Sequence, residues 1–138
     1  MTNGVRVRDN GTVSDDTAAE DPDRWGTVSV SSTGVSTMDN GDVVMVALDF
    51  DNKKLWFGKN GTFYNSGNPA TGTNAQASWD GTLPIIYPLV ESYHNNKQTF
   101  NFGQDSSFAG NKSTGTSSAA DGNGFGDFYY LPPSNYLA

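Results

Sequence analysis

Cysteine is absent from this chain of 138 residues, and histidine occurs once, at His94. The first absence excludes disulfide staples, thiolate metal sites and a cysteine nucleophile, and leaves the redox compartment open. The second leaves a histidine-centred catalytic or metal site without a convergent partner set. Cations are scarce: 8 Lys and Arg stand against 15 Asp and Glu, for a formal net charge of -7. Those few cations are scattered, so the chain carries no electrostatic footprint for a nucleic-acid backbone. Long apolar runs are also missing. None approaches the roughly 20 residues that span a bilayer. The opening Met1-Thr2-Asn3-Gly4-Val5-Arg6 lacks the apolar core of a signal peptide. These absences predict a soluble protein with no membrane insertion and no nucleic-acid partner.

What is present is concentrated between Gly41 and Gly61. Residues 43–48 form a continuous apolar run, short and rich in β-branched valine, which predicts a strand covered on both faces. Residues 54–59 alternate, with Leu55 and Phe57 on one face and Trp56 on the other, as successive side chains do on a strand. Asp51-Asn52-Lys53 supplies the tight connection between them. Asn60-Gly61 supplies the positive φ angles of a two-residue hairpin turn, so a third strand is expected at residues 62–64.

The remainder is polar and turn-rich. Residues 1–40 offer short strand candidates at 5–8 and 27–32 around an acidic connection, residues 14–23. Residues 65–82 contain Asn68-Pro69-Ala70-Thr71-Gly72-Thr73-Asn74 and end at Trp79-Asp80-Gly81, which predicts a surface loop. Residues 85–92 read as another covered strand. Residues 98–102 read as a strand with Phe100 and Phe102 inward, joined to it through Asn95-Asn96-Lys97. Residues 110–124 form a Gly/Ser/Thr/Asn-rich connection, followed by an aromatic and proline-containing tail, residues 125–138. The expected organisation is therefore 1–40, 41–109, 110–124 and 125–138, within one domain's length.

The series Gly41-Asp42-Val43, Val46-Ala47-Leu48-Asp49, Leu55-Trp56-Phe57, Lys59-Asn60-Gly61, a proline-containing strand and Asn101-Phe102-Gly103-Gln104 resembles a SPRY domain over residues 41–108. The segment Gly67-Asn68-Pro69-Ala70-Thr71-Gly72 and the C-terminal tail are similar to SPRY-like modules of bacteriophage tail-fibre and other virion proteins. The resemblance implies an all-β fold, an antiparallel β-sandwich of the concanavalin-like jelly-roll kind. The opening strands of that sandwich are not recognisable in residues 1–40. Either divergent strands there cover the open sheet face, or the chain is a fragment completed from elsewhere, since a bare face would aggregate.

Catalytic motifs find little support. His94 beside Tyr93 and Asn95 reads as a loop histidine. Asp49-Phe50-Asp51 lacks the glycine and terminal glutamate of a calcium loop and reads as hairpin termination. No Gly-x-Ser-x-Gly elbow is present, and the glycine-rich passages lack a phosphate-cradling Lys-Ser/Thr ending. The expectation is a non-enzymatic module without metal or cofactor that recognises its partner through loops on a β scaffold. The residues singled out for ligand binding are Asn68, Trp79, Asp80, Tyr93, His94 and Asn95, because aromatic rings stack on sugar faces while amides and carboxylates take the hydroxyls. For Trp79 the competing reading is a ring folded back onto the core. The leading functional expectation is a component of a virus particle, a bacteriophage tail-fibre or capsid-associated protein. Its partners would be other virion subunits in a homo-oligomer, with a trimer in view, and a host surface glycan or protein. The alternative is an intracellular SPRY adaptor that binds a short peptide.

Overall fold

The computed structural model describes residues 4–15, 26–82, 86, 88–90, 97–113 and 119–137. The chain divides into two compact units, Met1–Ile85 and Ile86–Ala138.

Among the described residues, the first unit holds the regular structure. β1 (Val5–Val7) and β2 (Val13–Asp15) pair antiparallel as a hairpin. The connection is closed by the Arg8 N–H donating to the Thr12 carbonyl at 2.8 Å, with Gly11 at a positive φ of 82°. β3 (Val28–Val30), β4 (Val44–Asp49), β5 (Lys54–Lys59), β6 (Thr62–Phe63) and β7 (Ala77–Trp79) form a second sheet in the order β3-β7-β5-β4, with β6 also on β5. β4 and β5 pair along their full length, from Val44 opposite Lys59 to Asp49 opposite Lys54. The Asn60-Gly61 turn has both residues at positive φ, 51° and 89°, as the twist of a two-residue hairpin requires.

One edge of β5 is completed by a side chain. β7 pairs with β5 at Lys54 and Leu55, and β6 pairs at Gly58 and Lys59. Between them stands Gln76, fully buried. Its backbone N–H donates to the Leu55 carbonyl, its Oε1 accepts from the Phe57 N–H at 2.9 Å, and its Nε2 donates to the Tyr64 carbonyl at 2.8 Å. A carboxamide carries both donor and acceptor, so one residue occupies the place of the missing ladder bonds.

Apolar packing is modest. On one sheet face Phe57 packs with Val13 and Tyr64, supported by Val5, Val7, Val35 and Leu55. The hairpin β1–β2 thus covers part of that face. On the other face Trp56 is wholly buried, and its indole N–H donates to the Thr73 carbonyl at 2.8 Å. The loop at residues 64–76 lies over it so closely that a Cβ at Gly67 would stand 2.9 Å from the Trp56 ring.

Several expectations are corrected. The described residues are mostly β with two antiparallel sheets, but neither sheet is closed or curled, so the concanavalin-like jelly-roll sandwich is not the fold. The residues that suggested it specify the β4–β5–β6 meander, which is local; they do not specify a second layer. β4 is covered on one face only: Val44, Val46 and Leu48 are exposed while Ala47 is buried. The run at 65–82 is not loop throughout, since it ends in β7.

In the second unit the expected inward pair is turned out, with Phe100 44% and Phe102 62% exposed and their rings stacked at 5.8 Å. The physical reason is Asn101. Its Oδ1 accepts from the N–H groups of Gly103 and Gln104 at 2.7 and 3.0 Å, which bends the chain where a strand would continue. Of residues 85–92, Ile86 and 88–90 are described and form no strand; the rest lie outside the described residues. Other fixed points among the described residues of this unit include turns around Asp105 and Asp121, the bonds that join Asp127 to Asn101, Gly103 and Ser106, and the bridge of Ala119 to Phe128.

Candidate functional site

Two backbone segments of the first unit approach each other beside the β5–β6 turn. One is residues 33–36, which lead away from β3. The Ser32 hydroxyl holds its start against β2, accepting from the Val13 N–H at 2.8 Å and donating to the Val13 carbonyl at 3.2 Å. The other is the 3-10 turn Tyr64–Ser66, where Asn65 and Ser66 both adopt positive φ, 57° and 52°. Two successive non-glycine residues in that region are uncommon and mark a conformation imposed by surroundings. A Cβ on Gly34 would stand 3.0 Å from the Asn65 nitrogen, so the approach depends on a glycine there.

Between these segments lies an open depression of about 500 Å³ lined by Thr33, Gly34, Ser36, Lys59, Thr62, Phe63, Tyr64, Asn65 and Ser66. Its cation is neutralised locally. The Lys59 ammonium pairs with Asp42 at 3.2 Å and donates to the Thr37 carbonyl at 2.7 Å. Asp42 in turn accepts from the Asp39 N–H at 2.8 Å and from the Asn60 amide at 2.6 Å. These hydrogen bonds, with Lys59 adding attraction, hold its carboxyl down at about 2. It is a fixed anion, unsuited to proton transfer near neutrality.

The neutral polar groups are freer. Among the described residues, the side chains of Ser36, Thr62, Asn65 and Ser66 make no hydrogen bond to protein. With part-exposed Phe63 beside them, they offer hydroxyl and amide donors and acceptors around an aromatic ring. The arrangement can bind a neutral, hydroxyl-rich group. It contains no acid–base pair. Elsewhere among the described residues no three of His, Cys, Asp or Glu stand together to hold a metal.

The residues singled out from sequence fall differently. Asn68 is exposed and caps the 3-10 turn Pro69–Thr71, its Oδ1 accepting from the Thr71 N–H. Trp79 is 6% exposed, packed within β7. Asp80 accepts from the Thr27 N–H at 2.6 Å, and its carbonyl accepts from the Lys53 ammonium at 2.9 Å, which ties β3 to β7. Asn68 thus caps a turn of the loop, Trp79 is buried in a strand, and Asp80 is bonded to residues beside β3 and β5. Tyr93, His94 and Asn95 lie outside the described residues. Sequence reading missed the depression because its defining feature, paired left-handed residues at Asn65-Ser66, leaves only a weak signal in an asparagine.

No family model, curated protein or solved structure matches the chain. With that, and with sheets that are neither closed nor curled, the resemblance to SPRY domains does not hold. The matching residues are those that any tight β-meander uses: valines for the strand, Asn-Gly for the turn, alternating aromatics for the core. Among the described residues no helix is long and apolar enough to cross a membrane.

Proposed function

We propose that this chain is a non-enzymatic binding and structural module of a virus particle, and that it contacts a host surface glycan through the depression at residues 33–36 and 62–66. One observation carries the reading. Four neutral polar side chains, Ser36, Thr62, Asn65 and Ser66, surround one open depression without spending their hydrogen bonds on protein. Sugar hydroxyls both donate and accept, and such groups meet them without the desolvation cost of a buried charge. An open depression of about 500 Å³ suits one or two sugar rings at the end of a longer chain. Repetition of the module on a particle would convert weak single contacts into avidity.

The test is a glycan array probed with the protein, followed by saturation-transfer NMR on the best ligands. Asn65→Gly keeps the left-handed backbone that glycine accepts and removes the amide; Thr62→Ala removes a hydroxyl. Each should weaken binding about tenfold, the equivalent of one hydrogen bond of roughly 1.4 kcal/mol. Absence of binding across the array, or binding unaltered in both variants, would refute the reading.

A further inference from the structure

Strand β4 combines two features that point to one occupant. It is the outermost strand of the five-stranded sheet, pairing only with β5 among the described residues. The phase of its ladder follows from one bond: the Asn60 N–H donates to the Val43 carbonyl at 2.9 Å. In an antiparallel pair, bonded and non-bonded positions alternate. Val43, Met45, Ala47 and Asp49 therefore direct their backbone groups to β5, while Val44, Val46 and Leu48 direct theirs outward. The bonds on the far edge of β5 confirm this phase, since Leu55 and Phe57 there bond to Gln76.

The three residues with outward backbone groups are also the exposed apolar ones, with Val46 60% exposed. Phe50, next on the same strip, is 44% exposed. No strand-breaking device protects this edge: it carries no proline, lysine or bulge, the usual means by which natural edges avoid association.

We propose that β4 is a homodimer edge, at which two copies of this chain pair their β4 strands antiparallel about a twofold axis at Val46. In that register Val46 faces Val46 of the partner subunit, and Val44 faces Leu48 of the partner subunit. About six new backbone hydrogen bonds form, two for each facing pair of outward residues. The charges agree with it. Asp42 falls opposite Phe50 of the partner subunit and Asp49 opposite Val43 of the partner subunit, so no carboxylate meets a carboxylate. A slip of the axis to Met45 places Leu48 against Asp42 of the partner subunit and forfeits the apolar match. An isologous contact of this kind is self-complementary and closes at two copies. It draws on no part of the glycan reading, and either can fail alone.

Two measurements test it. In sedimentation velocity over a wide concentration range, the wild-type chain should reach twice its 14.7 kDa mass, and Val46→Lys should stay at the single-chain mass with an unchanged circular dichroism spectrum. Because the chain has no cysteine, Val46→Cys places one thiol on the twofold axis, facing its own copy at a separation a disulfide can bridge. Mild oxidation should give a covalent dimer, whereas Val30→Cys on the opposite edge strand should not cross-link. A monomer at every concentration, a trimer, or equal cross-linking at position 30 would overturn the proposal.

Discussion

Asp42 shows how a single carboxylate can hold three parts of the chain. It accepts from the Asp39 backbone and the Asn60 amide and pairs with Lys59, so it joins the approach to β4 with the β5–β6 turn. Its folded pKa, about 2, lies below the ordinary value of 3.8. A depressed carboxylate pKa stabilises the fold fully above the ordinary value, and that contribution is lost as pH falls through the folded one. The stability difference between wild type and Asp42→Asn should therefore shrink between pH about 4 and about 2, read as urea midpoints at each pH. A difference that stays constant across that window would show that the ionised form is not what matters. Tyr64 illustrates the opposite situation. Its ring packs in the core with Phe57 and Val13 while its hydroxyl is buried without a hydrogen-bond partner, a local cost in a residue chosen for its bulk.

At the scale of elements, β5 is the strand on which the others depend, and Gly58 is its narrowest point. A Cβ there would stand 2.6 Å from the Thr62 carbonyl oxygen, 2.7 Å from the tip of Met45 and 2.9 Å from the Phe63 Cα. The methionine tip can turn aside, but the β6 backbone cannot without breaking its pairing with β5. Gly58→Ala should therefore cost about 1–3 kcal/mol, the usual range for overpacking, by chemical denaturation. Gly4→Ala, where a Cβ meets nothing within 4 Å, should change little. The β4, β5 and β6 strands and both their turns were legible in sequence because each is specified within a few residues by valine runs, aromatic alternation and Asn-Gly. β1 and β3 were legible as short valine-bearing stretches. β2 and β7 were not. Val13–Asp15 is held by its pairing to β1 and by the Ser32 hydroxyl, and Ala77–Trp79 by Gln76 and Asp80, which are long-range interactions that no local pattern announces. The candidate site was illegible for the same reason, since it arises where residues 33–36 and 64–66 meet.

On the scale of the whole molecule, the two units are held by different means. The first has ladders and a small apolar core around Phe57; in the second, among the described residues, asparagine and aspartate side chains fasten turns, as Asn101, Asp105 and Asp121 do, beside the ring contacts of Phe108, Tyr129 and Tyr130. Protection of backbone amides follows burial and cooperative pairing. Native-state hydrogen exchange should accordingly find its slowest amides at Phe57 and Gln76, whose N–H groups are bonded within the clip that the buried Gln76 forms on the β5 edge. The N–H groups of Gly103, Gln104 and Phe125, bonded to side-chain caps, should exchange much faster. Equal protection in the two sets would contradict this division of stability.

The clip formed by Gln76 has a chemical corollary. Its amide oxygen faces an N–H while its amide nitrogen faces carbonyls of Tyr64 and Asn74, so both halves of the group are in use. Hydrolysis of that amide to glutamate would leave an oxygen against carbonyls in a buried place. The new acid could keep the Phe57 contact and donate to one of the two carbonyls only by retaining its proton, so its pKa would rise. Loss of one ammonia molecule would thus convert a pH-indifferent fastening into one that closes in acid and opens toward neutrality, making this buried glutamine a point where slow chemical ageing could change the response of the sheet to its surroundings.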